Sequence, residues 1–135
     1  MSEKVSERLK ELYKANGNKM VVTELRGNEH EVYLSVDGTY FYSETALHEK
    51  RVPLVWFDGI VDFIKQNGGK VIKGSCFCKI GTDKCTKDTL AYYIATKCYC
   101  KNEGDSANSP ISIITAILDN AGICENVPKY INLKM

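Results

Sequence analysis

The chain has 135 residues, with 18 Lys+Arg against 17 Asp+Glu and a formal net charge of +1. This length suits a single domain over residues 1–135, and the 44% hydrophobic content excludes a disordered chain. No apolar run approaches the ~18 residues of a membrane span, so we expect no membrane partner. The near-neutral charge argues against a nucleic-acid coat or a DNA mimic.

The charge is distributed unevenly along the chain. Residues 70–101 carry seven lysines against two aspartates, whereas the segments on either side are slightly acidic. A basic segment can face an anionic ligand, although lysines also coat many solvated strands. Six cysteines without a secretory signal indicate a reducing compartment, and we therefore expect a cytoplasmic location.

The N-terminal part of the chain predicts a helix and then strands. An apolar stripe at helical spacing extends from Val5 to Tyr13, and Asn16-Gly17 ends it. The apolar and β-branched residues from Met20 to Leu25 predict the first strand, which a turn at Gly27-Asn28 follows.

The clearest local pattern in the sequence is a hairpin. Glu31 to Val36 and Thr39 to Tyr42 flank the dipeptide Asp37-Gly38. This dipeptide suits a two-residue type I′ turn, which needs positive φ at both central residues. We therefore predict two antiparallel strands joined at this point.

The middle of the chain predicts a helix and a strand, followed by an ambiguous segment. Leu54 to Gln66 has a helical apolar stripe, and Gly59 within it would allow close packing. Alternation predicts a strand from Lys70 to Ile80. Residues 89–100 fit a helix through Leu90, Ile94 and Cys98, but their Thr and Tyr content favours a strand, which we predict.

The C-terminal part predicts one helix and a short strand. Ser109 is a suitable N-cap and Pro110 a suitable first residue for the apolar helix that ends near Gly122. Tyr130 to Leu133 predicts a short edge strand. The whole pattern indicates an α+β fold, with a mainly antiparallel sheet of roughly four to six strands and about three helices packed on one face.

Two C-x-C pairs raise the question of a metal site. Zinc accepts four thiolates, and neighbouring strands would bring together Cys76, Cys78, Cys98 and Cys100. However, side chains at i and i+2 of a strand lie ~6.5–7 Å apart, which is wide for ligands of one ion. The pattern therefore favours buried structural cysteines, with zinc or a redox or disulfide role as alternatives, and no other cofactor is expected.

The sequence contains no recognisable catalytic set. Neither His30 nor His48 has the spacing of a metal ligand or of a base beside a nucleophile, and no nucleotide-binding or hydrolase motif is present. Asp58 and Asp62 share a helix face, and together with Asp105 they leave a nuclease or phosphotransferase open as an alternative. We expect a chain without catalytic activity.

Two loops and one predicted sheet face are the candidate binding site. Gly81 to Lys84 lies in the basic segment, and Gly104 to Ser109 leads into a helix N-terminus that would favour an anion. On paired strands, a face with Val71, Phe77 and Tyr99 would interleave aromatic rings with lysines, as in surfaces that stack bases. The predicted ligand-binding residues are Lys73, Lys79, Gly81, Thr82, Lys84, Tyr93, Lys97, Gly104, Asp105, Ser106 and Ser109.

These observations lead to three functional hypotheses. The first, which we favour, is a small binding protein for an anionic small molecule or nucleic acid, such as a phage or mobile-element accessory factor that sequesters a ligand or inhibits a host protein. The second is a protein–protein interaction or inhibitor module acting as a homodimer, with the last helix and the aromatic strands as its surface. The third is a zinc-stabilised module.

Overall fold

The computed structural model of the chain describes residues 4–44, 51–74, 79–82, 85–106 and 110–134. These residues form the predicted α+β fold, with a four-stranded antiparallel sheet and a second sheet of three strands. Within them, every helix falls short of the length and hydropathy that crossing a membrane requires.

The first sheet contains β1 (Lys19–Thr23), β2 (Glu29–Leu34), β3 (Tyr40–Tyr42) and β4 (Val52–Pro53), in that order and all antiparallel. Alternate residues of a strand point to opposite sides of its sheet. The inner face is therefore apolar, and its buried side chains are Val22, Val32, Leu34, Phe41 and Val52. The intervening residues point to the opposite side, which we call the outer face.

The predicted hairpin between β2 and β3 is confirmed, but its turn is longer than a type I′ turn. Ser35 N donates to Tyr40 O (2.9 Å), which leaves residues 36–39 as the connection. Gly38 has a φ of 74°, whereas Asp37 is not in the left-handed region. The Asp37 carboxylate instead accepts hydrogen bonds from Ser35 Oγ (2.7 Å) and from the N and Oγ1 of Thr39 (3.1 and 2.7 Å). Side-chain hydrogen bonds thus close this turn.

The second sheet contains β5 (Lys70–Ile72), β6 (Cys124–Asn126) and β7 (Tyr130–Leu133), in the order β5-β7-β6. The strand predicted from Lys70 ends at Ile72, because Gly74 adopts a φ of 78° that a continuing strand cannot accommodate. Residues 75–78 lie outside the described part of the chain. The strand predicted at an edge, β7, is instead the central strand, because β5 and β6 pair with it on either side.

The described helices are α1 (Val5–Ala15), α2 (Val55–Gln66), the short α3 (Leu90–Tyr93) and α4 (Ile111–Asn120). α1, α2 and α4 correspond to the predicted helices and bury the predicted apolar stripes. α4 is buried on nearly every side, and α2 and α4 each contact strands of both sheets. One hydrophobic core therefore joins the two sheets, and the apolar side chains of α4 lie within it.

The strand predicted over residues 89–100 is wrong. α3 continues into a π-helical segment, Ile94–Cys98, and the Thr89 hydroxyl caps α3 by accepting a hydrogen bond from Tyr92 N (3.2 Å). The buried residues are Leu90, Ala91, Ile94 and Ala95, a spacing that only a helix directs to one side. Burial of this stripe in the core outweighed the β-propensity of the Thr and Tyr residues.

Candidate functional site

The two loops predicted to bind a ligand lie side by side. Ile80 N donates to Asp105 O (2.9 Å), Gly104 N donates to Ile80 O (3.0 Å), and Lys79 forms an antiparallel bridge with Ser106. The structure therefore brings Gly81 and Thr82 close to Gly104. Lys84 and Ser109 lie outside the described residues.

The polar groups of these joined loops bind mostly to one another. Gly81 N donates to Cys85 O (2.8 Å), and both the N and the Oγ1 of Thr82 donate to Lys79 O (3.2 and 2.6 Å). Asn102 N donates to the Asp105 carboxylate (3.0 Å), and the Glu103 side chain lies against Gly81. These bonds use backbone donors that an anion would need, and the carboxylates add negative charge.

The predicted face of interleaved aromatic rings and lysines does not form. It required residues 89–100 to be a strand, and they are helical. Tyr93 stacks on Phe63 of α2 (4.8 Å between centroids), and Tyr99 packs edge-on against Trp56 (5.0 Å). The helical backbone directs these rings into contacts within the protein, and Phe77 lies outside the described residues.

The predicted lysines are dispersed. Lys73 Nζ donates to Asn126 Oδ1 (2.8 Å) on β6, and burial lowers the pKa of Lys73. Lys97 lies on the π-helical segment and not on a strand next to β5, as had been predicted. Lys79 is exposed beside Ser106. Of the predicted lysines that are described, Lys79 is thus the one placed at the joined loops.

The cysteines occupy different environments. Cys76 and Cys78 lie outside the described residues, while Cys98 is half-buried at the end of the π-helical segment and Cys100 is exposed. Burial raises the pKa of the Cys98 thiol to about 12. Among the described residues, no three His, Cys, Asp or Glu side chains are grouped as metal ligands would be. The zinc alternative therefore has no support from the described cysteines.

The aspartates considered for catalysis have separate environments. Asp58 accepts hydrogen bonds from Ser6 N (2.8 Å) and Ser6 Oγ (2.7 Å), so its carboxylate satisfies the N-terminus of α1. Asp62 is exposed on α2, and Asp105 bonds within its own loop. Of the two histidines, His30 lies 3.0 Å from a Glu24 carboxylate oxygen, and His48 lies outside the described residues.

A surface cavity lies between α1 and the end of α4. Its volume is about 370 Å³, and its lining residues are Arg8, Glu11, Leu12, Ala121 and Ile123. None of the described residues that were predicted to bind a ligand lines it. The opposite charges of Arg8 and Glu11 give it no clear preference for an anion or a cation.

The outer face of the first sheet carries a surface that is not among the predicted sites. Tyr33 pairs with Tyr42 across β2 and β3, and their rings stack with centroids 5.3 Å apart and planes inclined by 18°. Tyr40 lies 6.1 Å from Tyr42, and the Arg51 guanidinium lies 4.6 Å from the Tyr40 ring centroid. Lys19 Nζ, on β1, is 6.0 Å from the Tyr33 ring. We call these five residues the tyrosine face.

The tyrosine face is accessible and electrically mixed. Tyr42 is 40% exposed, and Val21 of β1, on the same side of the sheet, is 47% exposed. Tyr33 Oη donates a hydrogen bond to the Glu31 carboxylate, and this bond raises the pKa of Tyr33. The same carboxylate is 3.9 Å from Lys19 Nζ. The surface therefore combines large polar rings with both signs of charge.

Its signal was present in the sequence. Val32, Leu34 and Phe41 occupy the inward positions of the predicted hairpin, so the alternation assigns Tyr33, Tyr40 and Tyr42 to the opposite side. The aromatic and lysine surface was instead predicted in the basic segment, where residues 89–100 are helical. The alternation in the hairpin, rather than local charge, was the informative pattern.

Comparison with protein-family models, curated proteins and solved structures gives no match to this chain.

Proposed function

We propose that the chain is a non-catalytic interaction module that binds a protein partner through the tyrosine face. The observation that carries the proposal is a row of three neighbouring rings, in which Tyr33 stacks on Tyr42 and Tyr40 is tilted against Tyr42, with Arg51 at its end. Tyr and Arg are enriched at the centres of protein interfaces, where a few such residues supply most of the binding energy.

The rings are ordered before any partner arrives. Tyr33 contacts Tyr42, its hydroxyl is bonded to Glu31, and Arg51 lies over Tyr40. Side chains that are already held lose little rotamer entropy on association, so more of the contact energy appears as affinity. The sheet beneath them packs on the core through its inner face, which gives the rings a rigid base.

The charge around the rings favours a protein over a nucleic acid. Lys19 and Arg51 are balanced by Glu31, and Glu44 also acts electrostatically on Tyr33. Nucleic acids bind surfaces with a clear positive excess, because phosphates supply most of the affinity. A mixed surface of rings and opposite charges is typical of a contact with another folded protein.

The test compares partners captured by the wild-type chain and by Y33A/Y42A from lysate of the source cells, and then measures affinity with the purified partner. We expect one stoichiometric protein to be lost with Y33A/Y42A. Calorimetry should show at least ~30-fold weaker binding, the effect of losing a contact of about 2 kcal/mol.

The matched control is Tyr130→Ala. Tyr130 is a half-exposed tyrosine of the second sheet, and Lys70 Nζ lies 4.2 Å from its ring centroid. Tyr130 therefore has the same kind of ring and cation contact as the tyrosine face but lies on a different sheet. This variant should retain the partner. Retention of every partner by Y33A/Y42A, with a melting temperature like that of the control, contradicts the proposal.

An anionic ligand at the joined loops is the second candidate. The contact between the Gly81 and Gly104 loops favours it, with Lys79 exposed and Lys101 Nζ donating to Ser106 O (2.9 Å) beside them. The test is the melting temperature in the presence of a nucleotide panel. A rise that Lys79→Ala abolishes and Lys65→Ala, on α2, leaves intact would support this candidate. No rise with any nucleotide would eliminate it for that class of ligand.

A further inference from the structure

β1 is the outer strand of the first sheet. It pairs with β2 on one side, and no described strand pairs with it on the other. An outer strand with unpaired main-chain groups is a template for another strand unless the fold protects it. β1 has no proline, and every residue from Lys19 to Thr23 is paired in one continuous register without a bulge.

The hydrogen-bond pattern shows which groups of β1 face outward. Leu34 N donates to Asn18 O (2.9 Å), and Glu24 N donates to Asn28 O (2.9 Å). In an antiparallel ladder the bonded residues alternate, so the even-numbered residues of β1 bond to β2. The main-chain N–H and C=O groups of Lys19, Val21 and Thr23 therefore point away from the sheet.

The same three residues are exposed. Val21, at the centre of the strand, is 47% exposed, and Leu25 just beyond the strand is 50% exposed. The side chains of Lys19, Val21 and Thr23 lie on the outer face, because Val21 pairs with Glu31 and Lys19 pairs with Tyr33. An apolar residue at the centre of an exposed edge gains free energy by packing against another apolar side chain.

We propose that β1 pairs antiparallel with β1 of a second copy of this chain, with Val21 on the two-fold axis. In this register Val21 faces Val21 of the second copy, and Lys19 faces Thr23. No like charges are opposed, and all five residues of each strand are paired. Centring the pair on Lys19 would instead place two lysines opposite each other, which the charge pattern disfavours.

The pairing has a consequence for the tyrosine face. Two antiparallel strands at one edge direct equivalent side chains to the same side of the joined sheet. The dimer would therefore present two tyrosine faces on one continuous surface. This inference does not rest on the proposed function, since a dimer forms or fails to form whatever the tyrosine face binds.

The experiment is sedimentation equilibrium of the wild type, Val21→Lys and Val21→Glu. We expect the wild type to reach twice the 15.1 kDa chain mass as concentration rises. Each variant places two like charges on the axis, so its dimer dissociation constant should rise at least tenfold. An equimolar mixture of Val21→Lys and Val21→Glu should recover a dimer, because opposite charges then meet. Val36→Lys, at the fully exposed hairpin tip, is the matched control and should dimerise like the wild type.

Amide exchange identifies the strand itself. The amides of Lys19, Val21 and Thr23 should be protected in the wild-type dimer and exchange freely in Val21→Lys at the same concentration. A wild type that remains monomeric overturns the proposal. A dimer that Val21→Lys leaves unchanged also overturns it, since another surface then forms the contact. Protection of these amides only when a foreign protein is added would assign the edge to a different occupant.

Discussion

Gly59 of α2 lies directly against the hydroxyl of Tyr93 in α3, and a β-carbon at position 59 would overlap Tyr93 Oη. The Tyr93 ring cannot easily withdraw, because it stacks on Phe63 with centroids 4.8 Å apart. The expectation that this helical glycine allows close packing is thus confirmed. The contact between Gly59 and Tyr93 joins α2, which contacts strands of both sheets, to α3 in the segment that was wrongly predicted to be a strand.

Gly59→Ala should destabilise the protein by up to about 2 kcal/mol. Alanine favours a helix by about 1 kcal/mol over glycine, but overlap with Tyr93 forces packing to shift at a cost of roughly 1–3 kcal/mol. Removing the hydroxyl makes room, so Tyr93→Phe should recover stability in the Gly59→Ala background. Urea unfolding of the four chains measures the coupling. Additive effects of the two substitutions would show that the contact is not tight.

The fold could be predicted from the sequence where local chemistry decides it. The apolar stripes of α1, α2 and α4 follow from side-chain spacing, and the β2–β3 hairpin follows from alternation around Asp37-Gly38. The second sheet could not be predicted in this way, because Val71 pairs with Ile131 from the far end of the chain. Such long-range pairing depends on the shared core rather than on any local pattern.

The candidate site was harder to predict for a related reason. Residues 89–100 satisfy a helical stripe and a strand composition together, and burial of Leu90 and Ile94 decided between them. Because these residues are helical, the sheet face on which aromatic rings and lysines were expected to alternate does not form. The tyrosines of β2 and β3 were visible as alternating positions, but only the register of Tyr33 with Tyr42 shows that their rings stack.

Asp58→Ala should destabilise the protein by about 1–2 kcal/mol. The carboxylate accepts bonds from both the N and the Oγ of Ser6 (2.8 and 2.7 Å), so its removal takes this acceptor from the first turn of α1. Asp62→Ala is the control, because Asp62 is exposed on the same helix, and it should change stability by less than about 0.5 kcal/mol. Equal effects in thermal or urea unfolding would contradict a capping role for Asp58.

The hairpin turn should make stability depend on acid pH through Asp37. Hydrogen bonds from Ser35 and Thr39 lower the pKa of Asp37 below its ordinary value of 3.8. A carboxyl group with a lowered pKa in the folded state stabilises that state above the unfolded value, and the contribution is lost as pH falls through the folded pKa.

The measurement for Asp37 is the melting temperature of the wild type and Asp37→Asn from neutral pH to about pH 2. The wild type should melt higher at neutral pH, and the difference should shrink below the ordinary value of 3.8 as the carboxylate is protonated. Glu7→Gln in the first turn of α1 serves as a carboxylate control outside the turn. A difference between wild type and Asp37→Asn that is constant over this range would contradict the role of the charged form.

The two cysteines that follow α3 should react at different rates. Burial raises the pKa of the half-buried Cys98 to about 12, whereas Cys100 is exposed and has a positive φ of 55° that turns the chain away from the helix. The thiolate is the reactive form, so at pH 8 iodoacetamide should modify Cys100 well before Cys98. Peptide mass spectrometry of Cys98→Ser and Cys100→Ser time courses separates the two sites. Modification of Cys98 in the Cys100→Ser chain as fast as that of Cys100 in the Cys98→Ser chain would mean that the π-helical segment opens readily and does not protect its thiol.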